Sequence, residues 1–525
     1  MITRIAISLL LAVGLSSMGT AAETNRPTVI PQPEKMVLSD GVFTLGPQTM
    51  IVAGPKTHIT GEYLAKLLRV PTGFDLQIRK NSPSNDPVNC IILRLVSGKE
   101  DLGPEGYELK VSKDRVVIEA PTEAGAFYGV QTLRQLLPAA VESENPTTGV
   151  DWCVPCVQIE DKPRYAWRGL MLDPGHNFLT KEFTKRYIDT MACYKMNRLH
   201  WHLTDMGWAI EIKKYPQLTN LKKRTPITNR WRKAYGKCTH GFYTQEDIRE
   251  IVAYAAERHV MIIPEIELPG HSSSALACYP ELCCPNWKSK VKQVRSYSDY
   301  RCAYCAGNDK AFEFLEDVLS EVVELFPAPI VHIGGDERRG FWRNCPLCQA
   351  RIKAEGLKDV SELQSYFIKR IAKFLASKNR QIMGWTEIVE GGLPPGAMLQ
   401  SWLEPKHAVD AAKQGHDVVM STHGNCYLNY LGLSLEKCYS FEPTPPGLKP
   451  EVAKHILGVE PCLWGFPQHR HDELLFPRVC AFAEVGWSQK DARDWSNFKT
   501  RLGAHGRRLD EIGINYHRDP SVWSK

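Results

Sequence analysis

The sequence predicts an α/β protein: a (β/α)8 TIM barrel preceded by a smaller α/β domain. At 525 residues the chain is too long for one ordinary core, so it divides. After Tyr165, short apolar runs alternate with amphipathic segments, the pattern of parallel strands joined by helical crossovers. No Gly-rich phosphate loop follows the first of those runs, which argues against an open doubly wound sheet.

The chain begins with what reads as an export signal over residues 1–22. Met1–Arg4 supplies a short positive start, and Ile5–Leu15 is mostly apolar but too short to span a bilayer. Thr20-Ala21-Ala22 offers a cleavage site before Glu23, so a periplasmic or extracellular location is expected; the competing reading is a membrane anchor. No later stretch approaches the ~18 apolar residues of a transmembrane helix. Residues 23–162 read as the first domain, with strands at Val37–Leu45, Cys90–Val96, Gly106–Val111 and Arg115–Glu119. A helix is predicted over Thr122–Leu137, where Ala126, Val130, Leu133 and Leu137 recur at helical spacing.

Residues 163–500 should hold the barrel and 501–525 a C-terminal tail. Eight strand candidates follow in order: Gly169–Asp173, Arg198–Asp205, Met261–Leu268, Ile330–Gly335, Gln381–Ile388, Ala397–Trp402, Asp417–Ser421 and Ile456–Trp464. Apolar stripes between them mark crossover helices, such as Phe312, Leu315, Val318, Val322 and Leu325.

Composition narrows the function classes. Hydrophobic residues at 43% and charged residues at 24% fit a soluble globular protein. A net charge of +6, with no basic run, argues against nucleic-acid binding. Sixteen cysteines in an exported chain suggest disulfides. Cys153/Cys156, Cys302/Cys305 and Cys345/Cys348 are CxxC pairs, so a zinc site built from Cys302, Cys305, Cys345 and Cys348 stands as the alternative. Either way the cysteines read as structural.

Chemistry is expected at the carboxyl ends of the strands, where barrel enzymes keep it. Those ends carry Asp173, His202 with Asp205, Glu265 with Glu267 and His271, Asp336 with Glu337, Trp385 with Glu387, Trp402 and Trp464. Indole faces stack on the apolar faces of pyranose rings, and carboxylates bind hydroxyls or transfer protons. The densest stretch is His332-Ile333-Gly334-Gly335-Asp336-Glu337, where a strand runs into two glycines and two adjacent acids. Alone, that stretch leaves open the reading of a loop with two solvated acids. His200 and His202 share a strand face, but no third metal ligand is evident and no H-E-x-x-H occurs, so neither a catalytic metal nor a cofactor is expected.

Together these segments resemble glycoside hydrolase family 20, the β-N-acetylhexosaminidases, over nearly the whole mature chain. The matching runs are Arg168–Asp173, Leu199–Asp205, Pro264–His271, His332–Glu337, Gly384–Glu387, Gln400–Trp402, Cys426–Asn429 and Cys462–Gly465. The resemblance implies removal of terminal β-linked N-acetylglucosamine or N-acetylgalactosamine from glycans by a substrate-assisted route. In that route the 2-acetamido oxygen attacks the anomeric carbon and forms an oxazolinium. By the same resemblance, Glu337 is the acid/base and Asp336 orients the acetamide. Tyr427 donates to the acetamide oxygen, and Trp385, Trp402 and Trp464 wall the pocket. Asp205 and His271 support the acid, and Asn429 contacts sugar hydroxyls. A disulfide from Cys283 or Cys284 to Cys305 is also implied only by the resemblance.

The chain departs from the family pattern at two telling places. His176 stands where the family usually has an Arg that clamps hydroxyls on carbons 3 and 4, and Phe466 stands where an acid usually follows Trp464-Gly465. An imidazole cannot reproduce the five-donor guanidinium fork. Smaller departures are Glu267 in place of an Asp, and a segment shortened by one residue at Met206. The expectation is an intact acetamide half and a remodelled O3/O4 half, suited to O3/O4-substituted N-acetylhexosaminides or to both epimers. Two other functions compete: a non-catalytic glycan-binding protein, and a zinc-stabilised hydrolase of another class.

Overall fold

The computed structural model describes residues 27–80, 87–220, 239–288, 302–338 and 341–523. The expected export signal lies outside the described residues, as does Cys238. Two sheets carry the fold. The first has seven strands in the order β1-β7-β5-β6-β4-β2-β3. They are β1 Lys35–Thr44, β2 Met50–Ala53, β3 Ile78–Arg79, β4 Cys90–Leu95, β5 Tyr107–Val111, β6 Arg115–Ala120 and β7 Cys153–Asp161. The pairs β1–β7, β7–β5 and β5–β6 are antiparallel, and β6–β4, β4–β2 and β2–β3 are parallel.

Two helices, His58–Thr72 and Glu123–Leu136, cover one face of this sheet. Thr122 caps the second by accepting from the Gly125 amide. The first helix, β2, β3 and β7 were not legible in the sequence. Gly61 and Pro71 interrupt the helical pattern, and Gly61 is required because a Cβ there would press to 2.8 Å from Ala53 Cβ. In β7, Pro155 reads as a strand breaker, and it pairs with Val42 where the β1–β7 register shifts.

The second sheet is a closed parallel barrel. Its strands are β8 Trp167–Leu172, β9 Arg198–His202, β10 Met261–Glu265, β11 Ile330–His332, β12 Gln381–Trp385, β13 Met398–Ser401 and β14 Val418–Met420. The eighth position is split into β15 Ile456–Val459 and β16 Cys462–Leu463. β15 pairs with both β14 and β8, β16 pairs with β8, and the ring closes. Every residue of β8 is buried, as a strand covered on both faces must be. Crossover helices such as Lys181–Cys193, Asp309–Leu325 and Val360–Ser377 start on Thr180, Asn308 and Asp359 caps. All eight expected strands are present, each shorter at its carboxyl end, so most candidate site residues sit in the βα loops.

Position 500 falls inside a helix, Trp495–Glu511, which docks on the first domain. Arg508 reaches Glu142, and Arg501 donates to the Val29 carbonyl at 2.8 Å and to Glu484. At the junction of sheet and barrel, Lys195 Nζ lies 2.8 Å from Asp161 and 2.8 Å from the Tyr107 hydroxyl. Trp487 Nε1 donates to the same carboxylate at 2.9 Å. The lysine and aspartate side chains are both 0% exposed, so Asp161→Asn strands a buried ammonium. We expect it to cost about 3 kcal/mol, read as a lowered urea midpoint at unchanged slope.

Candidate active site

The barrel interior beneath the mouth is charged. Glu265 at the end of β10 and Glu460 between β15 and β16 point at histidines of β9 and β11. His200 sits between them, with Nδ1 2.7 Å from Glu460 and Nε2 3.0 Å from Glu265. Burial opposes charge on this ring, but the two carboxylates outweigh it and push its pKa up to about 9. Glu265 also contacts His202 Nδ1, lies 2.8 Å from His332 Nδ1, and accepts from Trp385 Nε1 at 2.7 Å. Burial would raise this carboxyl; the three histidines hold it well below the usual range instead. Ligand-type groups therefore do join His200 and His202, namely Glu265 and His332, which the sequence did not reveal. His200 and His202 form ion pairs with Glu265, whereas burial lowers the His332 pKa, and the cluster braces Trp385 from below.

Above this layer β11 runs into Gly334 and Gly335, with φ of +66° and +97°. A Cβ at Gly334 would overlap the Glu267 carboxyl, and one at Gly335 would overlap Ile388. Glycine is required here by both backbone and space. Glu337 follows with φ +44°, a left-handed conformation that a non-glycine residue rarely adopts. On the facing loop, a Cβ at Gly270 would lie 2.9 Å from the Asp336 carbonyl, so the two loops meet backbone to backbone.

That contact places His271 beside both acids. Its Nδ1 is 3.0 Å from Asp205, and its Nε2 is 3.5 Å from Asp336 and 3.7 Å from Glu337. Burial would lower the His271 pKa, but Asp205 and Asp336 raise it well above the ordinary value. Against its own burial, Asp205 is held low by His176 and His271. A charged relay, Asp205 to His271 to the acid pair, thus spans three strand ends.

The aromatic residues close around this relay. Met171, Trp385, Tyr427 and Cys462 form one buried cluster, with Trp402 and Trp464 packed against it. Trp385 and Trp464 have ring centroids 5.6 Å apart, and Trp402 stacks on Tyr427 at 6.1 Å and 13°. Tyr427 is fastened to the last strand: it bridges Cys462, and the Leu428 amide donates to the Cys462 carbonyl at 2.8 Å. Asp336 Oδ1, Asn429 Oδ1 and Trp464 Nε1 are buried without a hydrogen-bond partner among the described residues. Asp336 and Trp464 both border Tyr427, so an unmet acceptor and an unmet donor lie close together, as a polar ligand requires.

Trp402 Nε1 donates to Glu387 at 2.9 Å. Burial, and then Asp336, push the Glu387 carboxyl up to about 7. Because the folded state holds this proton more tightly than the unfolded chain, its contribution to stability is full below about pH 4.5 and is lost as pH rises through about 7. Glu387→Gln removes the titration. The melting temperature of the variant relative to the parent should therefore climb between about pH 5 and pH 8, measured by calorimetry at each pH.

Asp205, His271, Asp336, Glu337, Trp385, Trp402, Tyr427 and Trp464 are gathered in this region, but His176 and Phe466 do not behave as an open clamp. His176 Nδ1 is 2.7 Å from Asp173, its Nε2 is 3.5 Å from Asp205, and its ring stacks on His202 at 5.8 Å and 9°. Burial lowers the pKa of this imidazole, but Asp173 and Asp205 more than offset that, so it is raised and the ring is tied to the two acids. Phe466 belongs to the hydrophobic core, with the Arg470 guanidinium 5.6 Å from its ring centre. Sequence reasoning missed Glu460; its one signal was an acid interrupting the apolar run Ile456–Leu463. The expected disulfides do not form either: no disulfide joins cysteines among the described residues.

Residues 165–490 match the glycosyl hydrolase family 20 catalytic domain, and residues 26–162 match domain 2 of the same family. A β-hexosaminidase of Porphyromonas gingivalis is 40% identical over 511 residues, covering 93% of this chain, which spans 64% of that protein's length. A β-N-acetylhexosaminidase of Cellulomonas fimi is 32% identical over 94% of this chain and 96% of its own. The structure of a Vibrio harveyi exo-β-N-acetylglucosaminidase in complex with N-acetylglucosamine superposes with a TM-score of 0.83 at 32% identity, covering 94% of this chain and 78% of that one. With both domains matched in order and the acid pair held at the mouth of the barrel, the chain belongs to glycosyl hydrolase family 20.

Proposed function

We propose that this protein removes terminal β-linked N-acetylhexosamine residues from glycans by substrate-assisted, retaining catalysis. The observation that carries the reading is the Asp205–His271 relay ending at Asp336 and Glu337 beside a box of three tryptophans and a tyrosine. Glu337 protonates the departing oxygen and then activates water. Asp336, whose Oδ1 is buried and unpartnered, accepts from the acetamide N–H and stabilises the charge that develops on the oxazolinium. Tyr427 donates to the acetamide oxygen, and the indoles of Trp385, Trp402 and Trp464 hold the methyl group and ring while excluding water. Asn429 takes a sugar hydroxyl. The apolar pattern of residues 5–15 supports action after export, which N-terminal sequencing of the mature protein checks.

The O3/O4 side supports a refinement. His176 is committed to Asp173 and Asp205, and Phe466 to the core, so neither supplies the forked donor or the acceptor usual in the family. The enzyme therefore discriminates weakly between gluco and galacto epimers, or accepts a substituent at O3. Parallel kinetics on β-GlcNAc, β-GalNAc and O3-substituted aryl glycosides should give kcat/KM values within about tenfold. A strong preference for unsubstituted β-GlcNAc would remove the refinement while leaving the reaction intact.

A further inference from the structure

Four cysteine sulfurs outside the mouth converge on one point. Cys284 and Cys305 come from the long connection after β10, and Cys345 and Cys348 from the connection after β11. Cys284 is 1% exposed and the others 0%. The Sγ atoms of Cys305 lie 3.7 Å from Cys345 and 3.7 Å from Cys348, and Cys284 is 3.9 Å from Cys348. All four lie within 4.8 Å of one another.

These separations point to a shared centre rather than to pairs. Four thiolates around a tetrahedral zinc at about 2.3 Å stand about 3.8 Å from each other. Bonded sulfurs would lie at about 2 Å, and two disulfides would leave two close pairs well apart. Here Cys305 is equidistant from two partners, and Cys348 is shared between Cys284 and Cys305. The local backbone suits thiolates too. Cys345 is the N-cap of helix Pro346–Ala354 and Cys348 lies in its first turn, where the helix dipole favours anions. The Arg338 guanidinium, stacked 4.8 Å over Trp342, brings positive charge to the same side. The set differs from the one spacing suggested: Cys284 takes the place of Cys302.

We propose that Cys284, Cys305, Cys345 and Cys348 bind a structural zinc ion that clamps the His271 loop to the loop carrying Asp336 and Glu337. The hydrogen bonds around the knot run the same way. Tyr304, next to Cys305, donates its amide to the Pro269 carbonyl at 2.9 Å and accepts from Trp342 Nε1 at 2.9 Å. Cys305 itself donates to the Leu282 carbonyl at 2.9 Å. Gly307 packs against the backbone of Leu347 and Cys348 so closely that a Cβ would overlap it. Cys345 follows Glu337 by eight positions, so the metal fixes the far end of the loop whose near end holds the acid pair. In an oxidising compartment the ion would also keep these thiols from random pairing.

The test uses the full chain expressed with zinc supplied and purified without reductant. Elemental analysis should find about one zinc per chain, released by an organomercurial that titrates thiolates. Replacement by Co(II) should give the sulfur-to-cobalt charge-transfer band and visible bands of a tetrahedral thiolate site. Cys345→Ser with Cys348→Ser should lower bound zinc at least about tenfold, while Cys302→Ser should leave it unchanged. Zinc absent from the unaltered protein, a cobalt spectrum without thiolate bands, or disulfides joining these four cysteines in the non-reduced peptide map would each overturn the proposal. The cobalt and peptide-map readings need no variant, so misfolding of the double substitution cannot mask the answer. None of them depends on the glycosidase reading, and loss of hydrolysis without loss of zinc would touch only that reading.

Discussion

Glu337→Gln should lower kcat/KM on an alkyl β-N-acetylglucosaminide by about 10²–10⁴, or about 3–5 kcal/mol of transition-state stabilisation. The substitution keeps side-chain length and a polar head but leaves no proton to give and none to take. An alkoxide leaving group needs that proton at the moment the bond breaks, so the loss is largest there. On a nitrophenyl glycoside, whose leaving group departs unprotonated, the first step should survive far better and slow water attack should come to limit turnover. A pre-steady-state burst on the activated substrate would report that split. Folding should be little changed, because residue 337 already holds φ +44° with a side chain in place and is only half-buried. Full turnover of the alkyl glycoside by the variant would mean that the acid lies elsewhere.

How far the sequence alone reaches depends on what kind of contact sets each feature. The barrel strands were legible because each is buried on both faces and reads as an apolar run, as in Trp167–Leu172. Their carboxyl ends were overextended for the same reason. Leu203, Ile266, Leu268 and Ile333 continue the apolar pattern after the ladder has ended, because the βα loops pack inward as well. The eighth strand was read as continuous through Ile456–Trp464, whereas Glu460-Pro461 breaks it. Nothing local predicts what Glu460 meets: His200 lies 260 positions away in the chain and Trp167 lies 293 away. The same holds for the cysteines. CxxC spacing identified three of the four clustered sulfurs, but Cys284 joins them only because an antiparallel bridge between Cys283 and Tyr304 folds its connection back. The acid pair and the three tryptophans stood out because each lies at or just past a strand end, whereas Tyr427 follows the helix His423–Cys426 and stood out only through the family resemblance. The commitment of His176 to two acids was not, since it depends on where Asp205 turns.

Asp336→Asn should be nearly as damaging, about 10²–10³ in kcat with a smaller change in KM. The reason is when the charge is needed. In the ground state the acetamide is neutral, and an amide side chain can still meet it through a hydrogen bond. As the amide oxygen bonds to the anomeric carbon, positive charge spreads over the forming oxazolinium, and only the carboxylate answers it. The substitution also takes a negative charge from beside His271, whose Nε2 lies 3.5 Å from Asp336, so the ring gives up its proton at lower pH. The alkaline limb of the pH–rate profile, where His271 gives up its proton, should therefore move to lower pH. The matching control is the substrate. Sugars with a plain hydroxyl at carbon 2 have no internal nucleophile, so the parent enzyme should cleave them at least about 10³-fold more slowly than the N-acetyl forms. If those sugars were hydrolysed as fast as their acetamido counterparts, or if Asp336→Asn changed KM alone, the chemistry would have to run through a different nucleophile and the acid pair would need new roles.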